Sequence, residues 1–131
     1  MKRILATAIL LLAFTGAFAR VYNIKVSEEI PAAAAEVLVQ RFTQMLQAGG
    51  HSVGEEGAVL TLTGEVTDRM NTPGSMSQVA LNVNVTASCG GARAVFPLTG
   101  VGEDEADAWL RAVKRLLPRS KEAQKFVSEL K

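Results

Sequence analysis

The stretch QVALNVNVTASCGGARAVFPLTG, Gln78 to Gly100, decides how this chain folds. Val79, Leu81, Val83, Val85, Ala87 and Cys89 occupy alternate positions, and Gln78, Asn82, Asn84, Thr86 and Ser88 fall between them. A period of two with one apolar side describes a strand with one buried face. Two glycines between alternating segments predict a two-residue hairpin turn with positive φ. With Gly90-Gly91 as that turn, Cys89 pairs with Ala92, Ala87 with Ala94, Val85 with Phe96 and Val83 with Leu98. Every pair is apolar on apolar, and a slip of one residue would scramble all of them. Cys89 therefore belongs to the inward face. There a free cysteine acts as a small hydrophobe, and burial raises its pKa and makes it inert. Pairing with a second chain is the other fate open to a lone thiol in an oxidising compartment. The same register turns the missing N–H of Pro97 away from the preceding strand, so Ala92 onward is expected to be a sheet edge.

Working outward, VLTLTGEVTDR (Val59–Arg69) reads as the strand before this hairpin. Leu60, Leu62 and Val66 are expected on the inner side, and Thr61, Thr63, Glu65 and Thr67 on the outer. Met70 to Ser77 reads as a loop around a Pro73-Gly74 turn. Upstream, VYNIKV (Val21–Val26) alternates and makes a short strand, with Tyr22, Ile24 and Val26 inward. The segment PAAAAEVLVQRFTQMLQAGG starts with Pro31, which suits a first helical position, and four alanines of high helix propensity. Ala35, Leu38, Val39, Phe42, Met45 and Leu46 form its apolar stripe, and Gly49 is expected to be the left-handed residue that ends it. Beyond the hairpin, EDEADAWLRAVKRLL has acids in its first turn and bases in its last, as a helix dipole favours. Its expected stripe is Ala106, Trp109, Leu110, Val113 and Leu117, and Pro118 breaks it. Ser120 then caps a last helix with Ala123, Phe126, Val127 and Leu130 on one face.

The N-terminal stretch MKRILATAILLLAFTGAFA has the order of a secretory signal: basic Lys2-Arg3, apolar Ile4–Phe14, and the small-x-small end Ala17-Phe18-Ala19. Its apolar part is shorter than the roughly 20 residues of a membrane-spanning helix. Cleavage after Ala19 is expected, leaving residues 20–131 as a single domain. No cysteine is placed for a lipid anchor, and no later segment is long enough for a membrane span. The protein is expected to be periplasmic or secreted. Without Lys2 and Arg3, the 14 basic residues become 12 against 13 acidic ones. That balance offers no overall field for nucleic acid or an anionic membrane.

Chemistry-bearing groups are few. The single histidine, His51, follows the first helix in GGHSV, and nothing pairs it by motif with a nucleophile. One histidine and one cysteine cannot build a three- or four-ligand zinc site. Glu103, Asp104, Glu105 and Asp107 are dense enough for calcium but lack the spacing of an EF-hand, and acids at a helix start are already accounted for. Glu65 and Asp68 are a pair of carboxylates near in sequence, with little aromatic surface for a sugar beside them. Asn84-Val85-Thr86 is formally a glycosylation sequon. No cofactor is expected, and no catalytic or metal residue is assigned.

The resulting order, β-α-β-β-β-α(-α), predicts an α+β two-layer sandwich: a mostly antiparallel four-stranded sheet with helices on one face. Through LQAGGHSV (Leu46–Val53), VLTLTGEV (Val59–Val66) and PLTGVGEDEADAWLRAVKRLL (Pro97–Leu117), nearly all of residues 20–131 resembles a group of bacterial envelope domains. That group holds the TolB N-terminal domain, CsgG, FlgT, the penicillin-binding-protein activator lipoproteins and the similarly laid-out LptE. Many of these are lipoproteins, and the missing anchor cysteine is where this chain departs from them. The resemblance implies a non-enzymatic periplasmic accessory module that binds another envelope protein. A secreted enzyme inhibitor, with a helix on an antiparallel meander as in cystatins, is the alternative; SQVALN lacks the cystatin Q-x-V-x-G hairpin. The candidate interaction surface is the outward sheet face, with Thr63, Asn82 and Asn84, together with Met70, Asn71, Pro73 and Met76 of the connecting loop, methionine being adaptable at binding surfaces.

Overall fold

The structure, a computed structural model, describes residues 20–72 and 78–130. The expected signal segment and cleavage site lie outside them, as do Pro73 and Met76. The elements in order are β1 (Val21–Val26), α1 (Ala32–Ala48), β2 (Ser52–Val53), β3 (Ala58–Thr72), β4 (Gln78–Cys89), β5 (Ala92–Gly102), α2 (Glu105–Val113) and α3 (Lys121–Glu129). They form an α+β fold on one sheet of strand order β2-β1-β3-β4-β5.

The hairpin that decides the fold has the register read from its residues: Cys89↔Ala92, Ala87↔Ala94, Val85↔Phe96 and Val83↔Leu98. Gly90 takes φ +59 at the turn. Pro97 sits on β5, which is an outer strand of the sheet. The expectation of four mostly antiparallel strands is corrected to five in a mixed sheet. β1 runs parallel to both β2 and β3, while β3–β4 and β4–β5 are antiparallel. The cause is α1, whose 17 residues carry the chain back to the end where β1 began. A strand that follows such a crossover and pairs beside β1 must be parallel to it. β2 has two residues, too few to show any alternation.

The helices cover one face. α1 packs on β1, β2 and α2, α2 lies across β4 and β5, and α3 reaches β5 and α1. The core joins Tyr22, Leu60, Leu62, Leu81, Val83, Val85 and Phe96 of the sheet to Leu38, Phe42, Leu46, Trp109, Val113 and Phe126 of the helices. Phe42 stands edge-on to both Phe96 and Phe126, with ring centroids 5.7 and 6.4 Å apart. In α1 the buried set is Ala34, Leu38, Phe42, Met45 and Leu46, and Val39 lies at its margin. The residue with positive φ after α1 is Gly50, at +87, rather than Gly49, at −88.

The face that α2 presents is rotated from the expected one. Ala108, Trp109, Ala112, Val113 and Leu116 are buried, whereas Ala106 and Leu117 are exposed and Leu110 is half-buried. Two causes act. The alanines face Gly100 and Gly102 of β5, and the helix backbone rests on the strand there. A Cβ on Gly100 would lie 2.5 Å from Ala112 N, and one on Gly102 would lie 2.6 Å from Ala108 N. Small residues were drawn inward over larger ones because they let the helix approach. At the C-terminal end, Arg115 N donates to Ala112 O and Leu116 N to Val113 O. These i to i−3 bonds tighten the turn, and three residues per turn put Leu116 below Val113 and swing Leu117 outward. The starts of α2 and α3 are capped: Asp104 accepts from Asp107 N at 2.8 Å, and Ser120 accepts from Ala123 N at 3.2 Å.

The contact at Gly100 predicts a sharp contrast in stability. Gly100→Ala should destabilise by about 3 kcal/mol, the upper end for overpacking, because the groups it meets are backbone. Gly91→Ala, with nothing within 4 Å of its Cβ, should change stability by less than about 0.5 kcal/mol. Urea denaturation with unchanged m-values checks both.

Candidate functional site: the open edge of β3

β3 is longer than its inner neighbour. Its last pairing with β1 is Val26↔Leu62, after which Ser27 N donates to Leu62 O at 2.8 Å. Glu29 then curls over, close to Gly64 N at 3.4 Å, and its carboxyl is held below the usual range by the Ser27 hydroxyl first and that N–H second. From Glu65 to Thr72 the strand is paired, among the described residues, on one side only, by β4. Eight residues at about 3.4 Å each make a free edge roughly 27 Å long.

A bulge divides this edge. Val66 opposes Val83 and Asp68 opposes Asn82, so Thr67 is the extra residue; its hydroxyl donates to Asn82 O at 3.0 Å. The expected outward alternation of β3 therefore ends at Glu65. Past the bulge, Asp68 and Met70 take the outward face, and Arg69 and Asn71 the helix side, where Arg69 reaches Glu105 of α2 at 3.6 Å. The hairpin phase fixes which backbone groups are free. Odd-numbered residues of β4 bond to β5 and even-numbered ones to β3, so the N–H and C=O groups of Val66, Arg69 and Asn71 point away from the sheet.

The structure brings together four of the sequence-predicted residues. Thr63, Asn82, Asn84 and Met70 share the outward face, in the cross-strand rows Thr63–Thr86–Val95, Glu65–Asn84–Pro97, Asp68–Asn82–Thr99 and Met70–Ala80–Val101. Asn82 is held by the Thr99 hydroxyl at 2.8 Å, and Asn84 is half-buried. Asn71 belongs to the opposite face. Met70 and Asn71 are not loop residues, as the sequence reading had them, but part of β3, paired with Ala80 and Val79. The connection is short, 73–77. Met70 is 64% exposed and Val66 39%, so an apolar side chain stands on each face of the free edge. The sequence reading missed Val66 and Arg69, because only the end of β1 at Val26 makes their edge free.

The single cysteine and histidine lie toward the other end of the sheet, each interacting with Tyr22. His51 lies edge-on to the Tyr22 ring, centroids 5.2 Å apart, and its Nδ1 accepts from Arg20 N at 3.1 Å. Burial, then the Arg20 charge, pushes its pKa below the ordinary value. Cys89 is half-buried against the core, not fully enclosed as expected, and burial pushes its thiol up. A thiolate–imidazolium pair requires both shifts to run the other way. Among the described residues, no group of three or more His, Cys, Asp or Glu is placed to hold a metal ion.

His51 ties the start of β1 to the end of α1, and this has a consequence in pH. Its folded pKa lies below the unfolded one, so the stability it contributes is present above about pH 6.5 and is lost as pH falls through the folded value. Melting temperature should therefore drop between pH 7 and pH 5. His51→Asn keeps an acceptor for Arg20 and cannot titrate there, so it should flatten that dependence. Identical pH profiles for the two proteins would contradict the assignment.

No family model and no curated protein matches the chain. Among solved structures it is similar to a minor lipoprotein from Acinetobacter baumannii, at 12% identity and a TM-score of 0.42, over 84% of this chain and 87% of that one. It is also similar to a PelC variant in a dodecamer from Paraburkholderia phytofirmans, at 16% identity and a TM-score of 0.33, over 83% of this chain and 78% of that one.

Proposed function

We propose that this chain is a non-catalytic binding module of the bacterial cell envelope that takes up an extended segment of a partner protein along β3. The observation that carries this reading is the free edge Glu65–Thr72, which offers the outward backbone groups of Val66, Arg69 and Asn71. An added strand gains main-chain hydrogen bonds there, and alternate side chains set its specificity. Val66 and Met70 offer apolar contact on the two faces of the edge, and Asp68 and Arg69 offer one charge of each sign. The bulge at Thr67 and these charges disfavour indiscriminate edge-to-edge pairing, so a partner must match them. The envelope location rests on the secretion-type order of residues 1–19. The pKa shifts of Cys89, upward by burial, and His51, downward by burial, run against a thiolate–imidazolium pair. The inhibitor alternative retains a helix, α2, on the antiparallel β4–β5 pair, but SQVALN lacks the cystatin Q-x-V-x-G hairpin.

Asn71→Pro tests the proposal. The lost N–H points outward, so the β3–β4 ladder and the melting temperature should be preserved. A photo-crosslinking residue at Met70 should trap one discrete partner in cells, and Asn71→Pro should abolish that adduct. A discrete adduct from Val59, near the start of β3, with none from Met70 would overturn the reading.

A further inference from the structure

The near-zero net charge conceals a polarised molecule. Between Arg111 and Lys125 there are six basic residues and one acidic residue, a net +5. Within that stretch KRLLPRSK, residues 114–121, carries Lys114, Arg115, Arg119 and Lys121 and no acid. It forms the connection between α2 and α3. All four cations are exposed, and none has an ion pair among the described residues, where the pairs are Arg69–Glu105 and Arg111–Asp107. The acids Glu103, Asp104, Glu105 and Asp107 sit at the opposite end of α2, about 15 Å away along the helix axis. Glu65 and Asp68 lie on β3, beside the arm that Glu105 reaches through Arg69.

At the centre of this basic corner stands Leu117, 63% exposed, while its neighbour Leu116 is 3% exposed. The tightened turn after α2 forces Leu117 out. It lines a groove of about 750 Å³ with Gln44, Gln47, Pro118, Arg119 and Ser120, in which α1 contributes no acid.

We infer that the α2–α3 corner is a docking surface for an anionic lipid bilayer, with Lys114, Arg115, Arg119 and Lys121 over the headgroup phosphates and Leu117 in the interface. Long cationic side chains around one exposed aliphatic residue suit a fluid anionic surface, where each cation contributes independently and the stems lie along the interface. An acidic protein partner is less well matched, because the corner lacks the aromatic anchors that dominate protein interfaces. Expecting no attraction to anionic membranes treated the charge as evenly spread; its separation within the fold changes that conclusion. The inference is independent of the β3 edge, which shares no residue with this corner.

The test is co-sedimentation of the purified protein with phosphatidylglycerol–phosphatidylcholine vesicles and with phosphatidylcholine vesicles alone. Binding is expected to the anionic vesicles only and to fall steeply with salt, since the contacts are exposed. The double variant Arg115→Glu/Arg119→Glu should weaken it by at least about 25-fold, at about fivefold for each cation removed. Leu117→Gln should cost roughly fivefold, through lost apolar burial. Every variant keeps the parent's N-terminal stretch, so the comparison isolates the corner. If the double variant folds poorly, Lys114→Gln/Lys121→Gln carries the same test. Equal binding to neutral vesicles, undiminished binding by the charge variants, or an equal loss in Lys25→Glu/Arg93→Glu would overturn the inference. So would retention on an acidic polypeptide with no vesicle binding.

Discussion

The backbone of α2 rests directly on β5, and the rest of the molecule is arranged around that contact. Gly100 and Gly102 remove the side chains that would hold the two apart, and Ala108 and Ala112 supply the facing surface. Once α2 lies this close, Trp109 is pressed toward Gly64, which has no room for a side chain beneath the indole and Ile30. β4 and β5 are thereby clamped under one helix, which reaches β3 through Trp109 at Gly64 and Glu105 at Arg69, past the end of β1. Without that support the long part of β3 would be a marginal ribbon. With it, a strand paired on one side only becomes a stable feature of the surface.

The same contact sets the charge map. α2 is fixed with its acidic start over the β3–β4–β5 end, where Glu105 meets Arg69 and Asp107 holds the Glu103 N–H and Arg111. Its basic end is directed to the corner with α3. The helix dipole favours this sequence order, but the packing on β5 decides where in the molecule the two poles fall. The two proposed surfaces are thus consequences of one helix placement: an acidic, edge-bearing end suited to a strand and a basic corner suited to phosphates.

Much of this was legible in the residues and some was not, for identifiable reasons. The Gln78–Gly100 hairpin was readable to the exact pair, because alternation and a two-glycine turn agree on a single register. The edge position of Pro97 and the cap at Ser120 followed from equally local rules. The stripe of α2 was misjudged because hydrophobic periodicity favours large residues, and the helix turned its alanines inward to reach Gly100. Leu117 was assigned to the core because a uniform helix was assumed through a turn that tightens after Val113. The binding candidates Thr63, Asn82 and Asn84 were found on the correct face by period-two reasoning. The bulge at Thr67, invisible in the pattern, moved Met70 onto that face and Asn71 off it. The free edge itself is a property of strand lengths, six residues in β1 against 15 in β3, and no single segment announces it.

Beyond Gly64, β3 is an ordered strand with one edge unpaired among the described residues. Residue-resolved amide hydrogen exchange tests it most directly. The N–H groups of Asp68 and Met70 face β4 and should exchange slowly, while those of Arg69 and Asn71 face outward and should exchange near the unprotected rate. Slow exchange at all four positions would mean that the edge is already covered. Fast exchange at all four would mean that the strand is not formed.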